Sequence, residues 1–118
     1  MTVNVLGTPY SVEFKKWDDD PLFQKENWSG YCDGYGKRIV VCDPATVPGF
    51  ETDPTRSKAQ MRKQTLRHEI VHAFLNESGL MDCALVYEGP WAKCEELVDW
   101  IANQGQKIYR AWKEAGAL

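Results

Sequence analysis

"LRHEIVHAF", residues 66–74, carries both histidines of this 118-residue chain, four positions apart. Leu66, Ile70, Ala73 and Phe74 recur at intervals of three and four. That spacing puts side chains on one face of an α-helix and not of a strand. The helix decides the architecture around it. Upstream, Asp53-Pro54 offers a capping carboxylate followed by a ring that tolerates the first helical position. Downstream, Gly79 is a stop signal. The spacing therefore predicts a helix from Asp53-Pro54 to about Asn76.

Working outward, the N-terminal half reads as strands. "TVNVLG" and "YSVEFKKW" alternate apolar and polar residues on either side of Gly7-Thr8-Pro9, which predicts two strands and a tight connection. "WDDDPLFQKENW" breaks the alternation with three aspartates and a proline, and reads as a loop or a short helical turn. "SGYCDGYGKRIVVCD" predicts a second hairpin with turn residues Asp33, Gly34 and Gly36, and Arg38 to Cys42 is the most strand-like run. "LMDCALVYE" is either a short strand or a connection. Gly89-Pro90 opens a last helix reaching about Glu114, with Cys94, Leu97, Val98, Ile101, Ile108, Tyr109 and Trp112 on its apolar face. Strands followed by two helices define a single α+β domain over residues 1–118.

Composition narrows the function classes. The chain is 43% hydrophobic and 26% charged with a net charge of -3, which argues against a nucleic-acid partner. The Lys/Arg residues between Arg56 and Arg67 read as the solvated side of the helix. No apolar run approaches the roughly 18 residues of a membrane span, and the N-terminus lacks the pattern of a secretory signal. Cys32, Cys42, Cys83 and Cys94 show no CxxC pair, so reduced thiols in a cytoplasmic protein are expected. Oligomeric state is not encoded in any pattern here.

The histidines are where chemistry enters. Imidazoles at i and i+4 on one helical face are placed to ligate a single metal ion, and Glu69 beside them is placed to reach a water on that ion. This is the HExxH arrangement, and zinc suits it, because nitrogen and oxygen donors satisfy its tetrahedral preference and it brings a bound water to a pKa of roughly 7. Glu69 is then the general base and later the acid toward a leaving amine. A catalytic zinc site normally takes three protein ligands. No third histidine exists: where the metzincin motif HExxHxxGxxH continues, this chain has Leu75 and Ser78. A carboxylate must serve, and "CEELVDW" offers Glu95, Glu96 and Asp99.

With HEIVH and EELVD together the chain resembles the gluzincins, the thermolysin-like zinc metallopeptidases that carry HExxH on one helix and ExxxD on a second. The closer likeness is to small single-domain HExxH proteins, including phage and prophage proteins, and to the ImmA/IrrE metallopeptidase core. The helix-turn-helix often joined to that core has no counterpart in the sequence. The resemblance implies a minimal zincin-like domain: a small N-terminal antiparallel sheet packed on the HExxH helix and a C-terminal helix carrying ExxxD. It implies zinc held by His68, His72 and Glu95, with Asp99 orienting a ligand histidine, His68. Helical geometry separately favours Glu95 over Glu96. At about 100° per residue Glu95 falls on the flank of the apolar stripe and Glu96 nearly opposite it.

The expected substrate is a peptide or protein, with no nucleic-acid or membrane partner. Zincins bind extended peptide along a sheet edge, and Arg38 to Cys42 is the candidate strand. Tyr87 is a weak candidate for oxyanion or substrate contact. Trp17, Trp28, Trp91 and Trp112 read as core or interface. Two other classes stay open: a catalytically silent metal-binding regulator or partner-binding module, and a protein whose motif is coincidental.

Overall fold

The sheet starts from a two-residue turn. Leu6 and Gly7 both take positive φ, 51° and 91°, a geometry whose twist matches that of paired strands. The turn joins strands β1 (Thr2–Val5) and β2 (Thr8–Lys15), with Asn4 Oδ1 accepting from the Gly7 N–H at 2.9 Å. The computed structural model describes residues 1–50, 52–54, 57–81, 89–116 and 118, with Trp112 described for its backbone only. The remaining elements are α1 (Pro21–Glu26), β3 (Gly30–Asp33), β4 (Arg38–Cys42), α2 (Lys58–Glu77) and α3 (Glu95–Glu114). Short helical turns lie at Trp17–Asp19, Pro44–Thr46 and Trp91–Lys93. Among the described residues no helix is long and apolar enough to cross a membrane.

The fold is α+β, but its sheet is mixed rather than antiparallel. The strand order is β1-β2-β4-β3, and β2 and β4 run parallel. The crossover is the cause. After β2 the chain passes through α1, capped by Asp20, whose side chain accepts from the Leu22 N–H at 3.1 Å. Tyr31 of β3 donates its hydroxyl to the same carboxylate at 2.7 Å, which pins the crossover to β3. Burial pushes the Asp20 carboxyl up, but the bonds from Tyr31, Leu22 and Lys15 outweigh it and hold it below its ordinary range. Among the described residues β3 therefore lies at the outer edge of the sheet, and the turn at Gly34–Lys37 brings β4 back between β3 and β2.

This order corrects a functional expectation. Arg38–Cys42 is an interior strand paired on both sides, so its backbone groups are not free for a substrate. Its apolar run has a different reason: both faces are covered. Ile39 and Val41 join Val5, Tyr10, Val12 and Ala73 in the core under α2, while Val40 and Cys42 pack with Phe23 of α1 on the other side.

α2 begins at Lys58, later than predicted. Ser57 caps it, its hydroxyl accepting from the Gln60 N–H at 3.3 Å, whereas Asp53 closes a turn back to Phe50. Asp-Pro suits a turn as well as a helix start, and the serine nearer the apolar stripe supplies the cap. Leu66, Ile70 and Ala73 pack on the sheet; Phe74, at the margin of the stripe, is exposed. At the C-terminal end Glu77 accepts from Tyr10 Oη at 2.7 Å, Thr8 Oγ1 at 3.1 Å and Lys37 Nζ, clamping the helix to the first hairpin.

α3 runs antiparallel to α2. Val98 and Ala102 are buried, and Arg67 Nε of α2 donates to the Ala102 carbonyl at 3.1 Å. Cys94 and Tyr109, expected on the buried face, are exposed. Among the described residues of α3, Val98 and Ala102 are the buried positions. Of the tryptophans expected in the core or an interface, Trp28 and Trp91 are exposed in the single chain, whereas Trp17 packs beside Phe23 at a ring separation of 6.4 Å. Cys32, Cys42 and Cys94 carry free thiols.

Candidate metal centre

One helical turn of α2 brings His68 and His72 edge to face, with ring centroids 4.8 Å apart and Nε2 atoms 3.1 Å apart. The antiparallel approach of α3 sets its first residue over this pair. Glu95 Oε2 lies 3.0 Å from His68 Nε2, and Oε1 lies 3.2 Å from His72 Nε2. Glu96 is exposed. One turn further along α3, Asp99 Oδ1 is 2.7 Å from His68 Nδ1. His72 Nδ1 is 2.6 Å from the carbonyl oxygen of Ala92, in the turn before α3.

These contacts settle the tautomers by donor counting. A carboxylate and a carbonyl can only accept, so both imidazoles present N–H at Nδ1. A neutral ring with its proton there carries its lone pair at Nε2. Two lone pairs and a carboxylate converge within 3.2 Å of one another, an arrangement that is repulsive without a positive charge among them. A charged imidazolium at His72 is disfavoured: burial holds its pKa below the ordinary imidazole range, against upward pulls from the Ala92 carbonyl and Glu95. The donor set therefore fits a metal cation. A ring whose other nitrogen donates to an acceptor is also the usual state of a ligating histidine.

Glu69 is the second carboxylate at the site. It is only 5% exposed, and its carboxylate and the histidine nitrogens all lie within 4.8 Å of one another. Glu95 touches both Nε2 atoms directly, whereas Glu69 is buried beside them. Burial pushes its pKa up to about 7, with His68 opposing the rise and Glu95 adding to it. In the metal-free protein this carboxyl therefore exchanges its proton near neutrality.

The cluster opens into a cleft of about 900 Å³ with α2 as its floor. One wall is β3 and the other is the stretch from Ala92 to Asp99. β3 follows α2 in the same direction. A Cβ at Gly30 would stand 3.3 Å from Glu69 Cγ and 2.8 Å from Thr65 Cγ2, and one at Gly34 would stand 2.8 Å from Asn76 Nδ2. Glycine is thus what lets the strand lie this close to Glu69. At Gly30 the added atom would also meet the Val40 carbonyl oxygen at 2.9 Å, which cannot rotate away. Gly30→Ala should cost about 1–3 kcal/mol in urea unfolding, the usual range for overpacking.

The tertiary structure adds cleft residues with little or no sequence signal. The Ala92 carbonyl acts through backbone and leaves no trace in side-chain pattern. Asn76 had a signal, standing four residues after His72 on the same helical face. Cys32 also lines the cleft, but burial first, then the charges of Glu69 and Asp33, push its thiol up to about 12, leaving a protonated, unreactive sulfur. Tyr87 lies outside the described residues.

No protein-family model matches the chain, and neither a curated protein nor a solved structure matches it. The case for its function rests on the residues of this site.

Proposed function

We propose that the protein is a zinc-dependent metallopeptidase of the gluzincin type, on a minimal zincin-like domain. The observation that carries this reading is the approach of Glu95 to the Nε2 atoms of both histidines, at 3.0 and 3.2 Å. His68, His72 and Glu95 would hold the ion. Asp99 would accept from His68 Nδ1–H, fix its tautomer and raise its basicity. Removing such a partner commonly weakens metal affinity about 10–100-fold. Asp99→Ala should fall in that range when titrated against a chromophoric chelator.

Zinc held there would supply a Lewis acid able to make water a competent nucleophile near neutral pH and to polarise a scissile carbonyl. Glu69 accepts the proton of the attacking water and then delivers it to the departing amine. Its position supports this, since its carboxylate lies within 4.8 Å of the histidine nitrogens, within reach of a water on an ion held there. An extended peptide would lie along β3, which among the described residues pairs with β4 alone and forms a wall of the cleft. The cytoplasm is the compartment that agrees with free thiols at Cys32, Cys42 and Cys94.

The test is incubation of zinc-loaded protein with a complex peptide mixture, read by mass spectrometry, with the chelated protein as control. New termini that require zinc are the expected result. One zinc per chain without any cleavage would overturn the peptidase reading in favour of a metal-binding regulator.

A further inference from the structure

Aromatic and apolar side chains gather at one end of the cleft. Gly30 abuts Thr65 and Glu69 while Gly34 abuts Asn76, so Trp28, two residues before Gly30, lies toward the N-terminal end of α2. Met61 lines the cleft from that end of α2. Phe50 reaches the same end through the turn to Asp53, whose carbonyl accepts from Lys58 Nζ at 2.9 Å. Trp28, Phe50 and Met61 all line the cleft that holds the histidine pair.

Trp28 is unusual in how it is held. Its N–H donates to the Phe23 carbonyl at 3.2 Å, and the next carbonyl, Ser29, accepts from the Cys42 N–H at 2.8 Å. Its ring sits 6.1 Å from that of Tyr31. The backbone is thus fixed on both sides, yet the indole is 43% exposed. A large apolar surface kept open on a fixed backbone and continuous with a polar site is a feature of binding pockets.

We propose that this aromatic end of the cleft is the specificity pocket of the site, seating a bulky apolar side chain of the peptide within a residue or two of the bond that is cut. The proposal rests on the peptidase reading for the scissile bond, but the preference itself is a binding property. Trp28 has the largest ring in the pocket and an anchored backbone, which makes it the specificity-determining residue. Truncating it should remove the preference for large apolar side chains without disturbing the histidines.

The test uses zinc-loaded Glu69→Gln protein and capped octapeptides of alanine and glycine in which one central residue is Phe, Leu, Ala, Asp or Lys. Binding is followed by fluorescence anisotropy, beside measurement of zinc content. The Phe and Leu peptides should bind about tenfold or more tighter than the Ala peptide, as expected for burying a large apolar group. Adding Trp28→Ala should bring the five peptides to within about twofold while zinc content and the urea midpoint hold. Phe50→Ala gives a second reading of the same preference should Trp28→Ala fail to fold. Equal affinities across the set, or a preference that survives both truncations, would overturn the proposal. Cleavage of the same peptides by the wild-type protein reports separately on the peptidase reading.

Discussion

Glu69→Gln should keep one zinc per chain and lower peptide hydrolysis by a factor of about 10²–10⁴, the usual contribution of a positioned general base. Glutamine preserves the shape of the buried side chain but cannot accept the proton of the attacking water. Because His68, His72 and Glu95 are untouched, metal content separates loss of chemistry from loss of the site. A fully active variant would remove Glu69 from the mechanism.

The same substitution has a signature in the metal-free protein. The Glu69 pKa rises from 4.5 to about 7 on folding. Between those pH values the folded chain holds a proton that the unfolded chain has released. Stability from this group is therefore fully present below about pH 4.5 and falls as pH rises toward 7. The loss is on the order of 3 kcal/mol, from about 1.4 kcal/mol per pH unit. Groups shared by the two proteins cancel in the difference between variant and wild type. Urea unfolding of chelated protein at several pH values should show Glu69→Gln gaining on wild type as pH rises through this window. Parallel curves would mean that Glu69 is not buried as an acid.

Zinc removal should be the largest perturbation of stability. A ligand that binds only the folded state adds about 4 kcal/mol when present at 1,000 times its dissociation constant. Glu95→Ala deletes the carboxylate that contacts both imidazoles, so its effect should exceed that of losing an orienting partner. A hundredfold weaker site at the same zinc concentration leaves a stabilisation of only about 1.4 kcal/mol. For a chain of this size the difference corresponds to a fall in Tm of roughly 10 °C in zinc. With excess chelator the two proteins should melt close together, because Glu95 is mostly solvent-exposed and carries little of the fold itself. Equal melting of wild type with and without zinc would show that the histidine pair holds no metal.

How much of this was legible beforehand follows from the range of the interactions involved. His68, Glu69 and His72 share one helical turn, and helical spacing is local, so their common face could be read from the chain. Glu95 and Asp99 were legible through the resemblance of EELVD to an ExxxD motif, and the flank position of Glu95 is a local property. What local spacing does not specify is the partner of that flank. Arg67 bonding to Ala102 and the packing of Val98 and Ala102 set α3 against α2, and only then does Glu95 stand over both rings.

The strands divide in the same way. Their existence and the two hairpin turns are consequences of alternation and turn residues, which the sequence determines by itself. Their order is not. The apolar run Arg38 to Cys42 reads equally as an edge or an interior strand, and a helical crossover pinned by Asp20 and Tyr31 makes it interior. That decision passes the free edge to β3, sets Gly30 against Glu69 and leaves Trp28 open at the end of the cleft. Sequence alone determined which residues could do chemistry, because helical and strand periods act over a few residues. Tertiary structure decided which of them meet and what lines the space between them, because those contacts join residues far apart in the chain.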